Sequence, residues 1–160
     1  MLTSAQQVIL KAAILADPVL AAQPANSDGA WAIAAVLNLP AVPDWIVWRT
    51  DADPEEIMKN GMDWTRVDNL SVGAARVWEW MTRLGRFDAS KANIRSGIEA
   101  VWKGTAADLA VRAMVYVHCK RSATRIEQLF SIGTGSDASP ATMSFEGQIS
   151  YQDVMQARNS

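Results

Sequence analysis

A series of helix start and stop signals constrains the fold of this chain more than any other feature, because it divides the second half into short helices. Ser71 is a good N-cap and Gly85 a good stop for a helix over residues 71–84. Thr105 and Asp108 have the spacing of a capping box, which predicts a further helix over residues 109–119. That helix is apolar on much of its circumference, so we expect it to lie centrally.

The first half of the chain mixes helices with two candidate strands. Thr3 or Ser4 can cap a first helix, which has an apolar face: Val8, Ile9, Ala12, Ile14 and Leu15. Residues 44–50 are β-branched and aromatic, which favours a strand, and residues 62–67 are a second candidate. We therefore predict a mainly α fold, a helical bundle with a small β element.

The last 28 residues predict a hairpin followed by a helix. Residues 142–145 and 148–150 can pair around a tight turn at Glu146-Gly147, and Ser150 with Asp153 matches a capping box. An isolated two-stranded hairpin is marginal in water. We therefore predict a single domain over residues 1–160, with a C-terminal arm (residues 133–160) that packs on the domain or on a neighbouring subunit. A basic helix over residues 122–130 precedes this arm.

Composition excludes several classes of protein. The 160 residues are 49% apolar and 20% charged, which is typical of a folded domain with a real core. A net charge of −2 predicts no general attraction to nucleic acid or to anionic lipid. No apolar run approaches the roughly 20 residues that a transmembrane helix requires, so we expect no membrane partner.

His118 and Cys119 are the first residues to consider for catalysis. Neighbours on one helix point about 100° apart, which makes a poor nucleophile–base pair. One histidine and one cysteine also cannot supply a usual closed zinc site. A buried thiol and a hydrogen-bonded histidine are the favoured interpretation.

Two further motifs have structural interpretations. The G-T-G sequence at 133–135 follows a helix and lacks the lysine of a phosphate-binding loop, so it predicts a helix stop and a flexible loop. Four carboxylates at a helix start favour a cap over a magnesium site: Asp51, Asp53, Glu55 and Glu56. We predict no enzymatic activity, no catalytic residue, no cofactor and no metal.

Seven tryptophans are more than one small core is expected to bury, so some should lie in contacts between subunits. The candidate contact residues for a neighbouring subunit or another protein are Trp45, Trp48, Trp64, Phe145, Tyr151 and Val154. Lys120, Arg121 and Arg125 form a small basic patch at a helix junction, where cations are favourable. They are also weak candidates for contact with DNA phosphates.

Residues 120–160 resemble the C-terminal half of a family of small virion proteins encoded by tailed bacteriophages. The resemblance is carried by the pattern T-G-x-x-x-S-P-A-T-M-x-F-E-G-x-I-S-Y-Q-D-V. Two other stretches also resemble that family, W-I-V-W-R-T-D with the short helix after it and K-A-N-I-R-S-G-I at 91–98. The resemblance extends from about residue 29 to the end.

The resemblance implies a structural virion protein at the head-to-tail connector, an adaptor (head-completion) protein that forms a homo-oligomeric ring on the portal protein. Other neck or tail proteins would be further partners, and contact with packaged DNA would be non-specific. A tail-completion or capsid-surface protein is the alternative, and a small hydrolase is the least favoured. On this basis we expect deletion of the C-terminal arm to weaken assembly while the helices of residues 71–130 stay folded.

Overall fold

The computed structural model describes all residues from Met1 to Ser160. Ten helices hold 54% of the chain and two small antiparallel sheets form the rest of the regular structure, so the predicted mainly α fold with a small β element is confirmed. The helices are α1 (Ser4–Ala16), α2 (Pro18–Ala21), α3 (Ser27–Leu37), α4 (Pro54–Lys59), α5 (Trp64–Asp68), α6 (Val72–Thr82), α7 (Ala92–Val101), α8 (Ala106–His118), α9 (Arg125–Leu129) and α10 (Tyr151–Asn159). The strands are β1 (Ile46–Trp48), β2 (Lys120–Ser122), β3 (Ser131–Ile132) and β4 (Thr142–Met143); β1 pairs with β2, and β3 with β4.

The chain divides into two compact units. Unit 1 contains both ends of the chain, Met1–Ile46 and Ser122–Ser160, and unit 2 is the intervening segment Val47–Arg121. Each unit has its own cluster of buried apolar side chains.

The first and last helices of unit 1 begin with capping boxes, the first at the predicted cap Thr3 and the last at the predicted box of Ser150 with Asp153. The Thr3 side chain accepts a hydrogen bond from the Gln6 N–H, and the Gln6 side chain accepts one from the Thr3 N–H. Ser150 and Asp153 make the same reciprocal pair at the start of α10. Each cap satisfies amide groups that a helix leaves unpaired at its start, which is typically worth about 1 kcal/mol.

The C-terminal arm is part of the core of unit 1. α10 packs against both α1 and α3. Ile149, Val154 and Ala157 are buried in the same cluster as Ile126 and Phe130. Deletion of the arm would expose this cluster. We therefore expect only the part of residues 71–130 that lies in unit 2 to stay folded without the arm.

The predicted hairpin around Glu146-Gly147 is wrong. Residues 142–143 pair instead with the strand after α9, with Ser131 opposite Met143. The Ile149 backbone forms no strand, because the Asn38 side-chain amide bonds both its N–H (3.0 Å) and its carbonyl (2.9 Å). The Asn38 side chain therefore makes the hydrogen bonds that a partner strand would make at Ile149.

The predicted strand at 62–67 is also wrong. These residues lie largely in α5, which begins at Trp64 because the carboxylate of the preceding Asp63 accepts a hydrogen bond from the Arg66 N–H. This cap outweighs the alternation of apolar and polar residues that suggested a strand. Met62 is nevertheless buried, and Val67 packs against the core of unit 2.

The predicted basic helix over residues 122–130 starts later than the sequence indicated. Lys120–Ser122 is β2, and Thr124 opens α9 through a capping box with Glu127. Thr124 is the better cap because Glu127 stands three residues after it, with its carboxylate bonding the Thr124 N–H at 2.9 Å.

The core of unit 2 lies between its helices. α6 packs against α7, and Trp78 meets Trp102 edge to face, with ring centroids 5.4 Å apart. Ala52 and Phe87 exchange two backbone hydrogen bonds of 3.1 and 3.0 Å. This unit is built from one continuous segment of chain and contains α4 to α8.

Trp45 and Gly135 anchor the loop that follows β3. The Ile46 N–H donates to the Gly135 carbonyl at 2.7 Å, and Trp45 Nε1 donates to Ser131 Oγ at 2.9 Å. A Cβ at Gly135 would lie 2.1 Å from the Trp45 ring, and φ at this residue is +64°. Only glycine lets the indole lie this close to the backbone.

We predict that Gly135→Ala lowers the free energy of unfolding by about 3 kcal/mol, the sum of a left-handed alanine and a forced shift of the Trp45 ring. Gly147→Ala is the matched control, because φ is +109° there but nothing lies within 4 Å of the added carbon. Urea denaturation followed by circular dichroism measures both. Equal losses in the two variants would show that the ring moves aside without cost.

Asp153 should make stability depend on pH. Burial by itself would raise the pKa of this carboxyl, but hydrogen bonds from Ser150 and from the Leu2 N–H outweigh burial and hold the pKa below its ordinary value. A lowered pKa means that the carboxylate stabilises the fold above about pH 4, and that this contribution is lost as the pH falls through the lowered value.

We therefore expect Asp153→Asn to lower the free energy of unfolding at pH 7 by about 1 kcal/mol, the usual scale for a helix cap. The difference from the wild type should shrink between pH 4 and pH 2. Asp44→Asn, at an exposed position, is the control and should leave stability unchanged. A difference that stays constant down to pH 2 would contradict this assignment.

Candidate functional site

The solvent side of α1 carries a row of apolar residues from Ala5 to Ala16. Its residues lie three or four positions apart and none is charged; we call it the α1 outer face, and it consists of Ala5, Val8, Ile9, Ala12, Leu15 and Ala16. The opposite side of the helix buries Leu10 and Ile14. A helix that is apolar on both sides is ordinarily buried on both, so the α1 outer face is a candidate contact surface.

The predicted apolar face of α1 is divided between the surface and the core. Val8, Ile9 and Leu15 remain 62%, 45% and 68% exposed, while Ile14 is buried. Complete burial of such a side chain is worth roughly 1.5–3 kcal/mol, so covering these three would contribute roughly 3–5 kcal/mol. Association of two proteins costs roughly 4–15 kcal/mol, so this face alone does not make a stable dimer.

Unit 2 has a second uncharged apolar surface on α8. We call it the α8 outer face: Ala106, Leu109, Ala110, Ala113 and Val117 are all exposed. Only one side of this helix is buried, through Val111 and Val115. The prediction of a central position for this helix is thus wrong, because its apolar circumference reflects two separate surfaces.

Three tryptophans remain exposed, and the sequence singled out only one of them. Trp64 is 56% exposed, as a candidate contact residue should be. Trp31 and Trp80 are 58% and 61% exposed and were missed. Trp31 stacks on Tyr151 in unit 1, with ring centroids 4.8 Å apart, which makes a flat aromatic surface. The sequence could have indicated that Trp80 is exposed, because Trp80 lies between Arg76 and Arg83 on the polar side of the helix.

Two of the predicted contact residues serve the fold of their own chain. Trp45 is half-buried over Gly135, as described above. Trp48 is buried in unit 2, where the Tyr116 ring packs on it at a steep angle with ring centroids 5.3 Å apart, and the Arg95 guanidinium lies 5.0 Å from its ring centre. These contacts leave little of either indole for a partner.

The other predicted contact residues differ in exposure. Val154 is completely buried and Phe145 packs edge to face on Phe130 at 5.6 Å. Tyr151 is half-buried, as Phe145 is, and stacks on the exposed Trp31. Of the six predicted residues, Trp64 is therefore the one that is exposed.

The three basic candidates have different surroundings. The Lys120 ammonium lies 5.8 Å from the Trp48 ring centre, and Arg121 is half-buried in the same unit. Arg125 belongs to unit 1, where its half-buried side chain lines a cleft beside Leu37 and Leu129. No wide basic surface surrounds them, consistent with the net charge of −2.

His118 lies close to two polar groups, and Cys119 is buried. His118 Nε2 is 3.3 Å from the Asn60 carbonyl oxygen, and Nδ1 is 3.7 Å from the Glu56 carboxylate. Cys119 has no exposed surface, and burial raises the pKa of its thiol to about 12. A neutral, buried thiol is a poor nucleophile.

The remaining motifs have structural contacts. The Asp53 carboxylate caps α4, while Arg49 bonds Asp51 and Glu56 at 3.2 Å each. In the G-T-G loop, the Thr134 hydroxyl donates to the Ser139 carbonyl at 3.0 Å, so the loop bonds to itself. No group of three or more histidine, cysteine, aspartate or glutamate side chains is arranged to hold a metal ion.

Comparison of the chain with protein families, with curated proteins and with solved structures found no match. None of the ten helices has both the length and the apolar character needed to cross a membrane.

Burial of Cys119 leads to a chemical prediction. At pH 8 the folded thiol should be protonated and shielded, so we expect iodoacetamide to alkylate it about 100-fold more slowly than in chain unfolded by urea. Mass spectrometry of timed samples gives both rates from the single cysteine. Equal rates would show an accessible thiolate and would restore Cys119 as a candidate nucleophile.

Proposed function

We propose that this chain is a structural virion protein of a tailed bacteriophage, an adaptor at the head-to-tail connector that forms a ring on the portal protein. The observation that carries the proposal is the α1 outer face, an uncharged surface that the chain itself leaves uncovered. The resemblance of residues 120–160 to small phage virion proteins supplies the class of assembly.

The presence of two different apolar surfaces supports a ring. A closed ring with more than two members needs a heterologous interface, in which one surface of a subunit meets a different surface of the next. The α1 and α8 outer faces are two such surfaces, and neither carries a charge that would oppose the contact. Exposed Trp31 and Trp64 add the residue type most common at the centres of interfaces.

The energy of the α1 outer face supports assembly on the portal. Because roughly 3–5 kcal/mol is at the low end of the cost of association, we expect a weak contact between free subunits. A portal that holds several copies side by side raises their effective concentration and makes the weak contact sufficient. The ring would then form on its partner and stay dissociated without it.

A structural protein at another location in the virion would need the same kind of surface. A tail-completion protein or a capsid-surface protein would also need an uncharged contact face, so imaging of labelled virions is required to distinguish them. A hydrolase is the least supported alternative, since the buried Cys119 thiol and the bonded His118 form no organised catalytic group.

The adaptor proposal can be tested by mixing the chain with the portal protein of its phage at micromolar concentration. Native mass spectrometry and negative-stain imaging should show a ring of this chain on the portal. Genes for the portal and the major capsid protein should also lie close to the gene for this chain. A wild-type chain that never associates with the portal would overturn the proposal.

We predict that Val8→Glu prevents ring formation while the chain stays folded. The substitution puts a charge at the centre of the α1 outer face, where an apolar contact leaves it without a partner, and should weaken association about 100-fold. Ser96→Glu adds the same charge at an exposed position of α7 and is the matched control. If Val8→Glu assembles as well as this control, the α1 outer face is not the contact surface.

A further inference from the structure

Unit 1 contains a cleft that the proposed assembly does not use. Its volume is about 290 Å³, and its apolar wall comes from four side chains on four helices, Ala13, Leu20, Leu37 and Leu129. Known ligand clefts start at about 300 Å³, so this one is large enough for a single large side chain or two small ones.

Two polar side chains in the cleft make no bond within the chain. The Arg125 guanidinium has no ion pair or hydrogen bond, and neither has the side-chain amide of Gln128. The Arg125 backbone is held in place by its N–H, which donates to the Leu39 carbonyl at 2.9 Å. The backbone of Arg125 is thus fixed by a hydrogen bond, and its guanidinium is unpaired.

Asp17 also lines the cleft, but its carboxylate is already bonded. Its Oδ1 accepts from the Val19 N–H at 2.8 Å and from the Leu20 N–H at 3.2 Å at the start of α2. Both bonds go to Oδ1 and fix the carboxylate at the start of α2, whereas the Arg125 side chain has no bond. The unpaired polar groups of the cleft are therefore a guanidinium, which only donates, and an amide, which can donate or accept, and the guanidinium is suited to an anion.

We propose that this cleft is a docking site for a segment of a partner protein in which an apolar side chain adjoins a carboxylate. The apolar side chain fills the space between Leu20, Leu37 and Leu129. The carboxylate pairs with the Arg125 guanidinium, whose planar shape matches a carboxylate with two parallel hydrogen bonds. Gln128 donates its amide to the same segment.

The charge of the occupant follows from the group of the cleft that lacks a bond, because the cleft holds one acid, Asp17, and one base, Arg125. An apolar wall alone would accept any apolar group, but an arginine beside it favours a negative neighbour and opposes a positive one. The docking site requires neither the α1 outer face nor the ring, so it can be tested on the monomer. Failure of the ring proposal would leave it intact, and its own failure would leave the ring proposal intact.

The test uses the full chain, labelled with ¹⁵N, and three short blocked peptides. The first is acetyl-Ala-Leu-Glu-Ala-amide; the second replaces its glutamate by glutamine; the third replaces its leucine by alanine. We expect amide shifts around Leu20, Leu37 and Arg125 with the first peptide, and binding about tenfold weaker with each of the other two. Equal binding of the glutamate and glutamine peptides, or no shifts at 10 mM, would overturn the proposal.

Arg125→Gln provides the decisive variant, because it keeps the backbone bond to Leu39 and removes the charge. It should bind the glutamate peptide about tenfold more weakly and lose the preference over the glutamine peptide. Arg76→Gln, an exposed arginine on α6 of unit 2, is the matched control and should bind as the wild type does. Hexanoate is a further probe: tighter binding of hexanoate than of the glutamate peptide would assign the cleft to a free small carboxylate and overturn the docking site.

Discussion

Unit 1 depends on a meeting of the two ends of the chain. The Leu2 N–H donates to the Asp153 carboxylate at 3.2 Å, and the Gln6 side chain donates to the Ser144 carbonyl at 3.3 Å. Arg158 adds bonds to the carbonyls of Gln23 and Pro24, at 2.8 Å each. Such contacts span more than 130 residues, so loop closure must be completed before they stabilise anything. Unit 2 has no such requirement, because its core comes from one continuous segment.

Local signals in the sequence predicted helix starts better than they predicted which surfaces are covered. The reciprocal bonds of Thr105 with Asp108 and of Ser150 with Asp153 depend on neighbouring residues alone, so spacing was sufficient to find them. The division into two units left no trace in the sequence, since unit 1 is discontinuous and no linker separates it from unit 2. The Ile149 backbone bonds to Asn38, 111 residues away, and no local pattern could show this.

Local signals in the sequence also could not show which candidate surfaces are covered. Periodicity identified apolar residues on α1, but it could not decide which of its two sides faces the core, because both are apolar. The count of seven tryptophans correctly suggested that some lie outside a core. Residues far away in the sequence decide which tryptophans these are. Gly135 lets Trp45 lie against its own chain, and Tyr116 packs on Trp48.

The composition of the α1 outer face determines how it can be used. Three of its six residues are alanines, which let another helix approach closely while adding little apolar area. The resulting gain of roughly 3–5 kcal/mol is too small to hold two free subunits together against the cost of association. The same gain is large enough to select one arrangement once a template has brought the subunits together, because most of that cost is then already met. A face that is apolar but small therefore fits the proposed assembly on a template better than a stable dimer of free subunits.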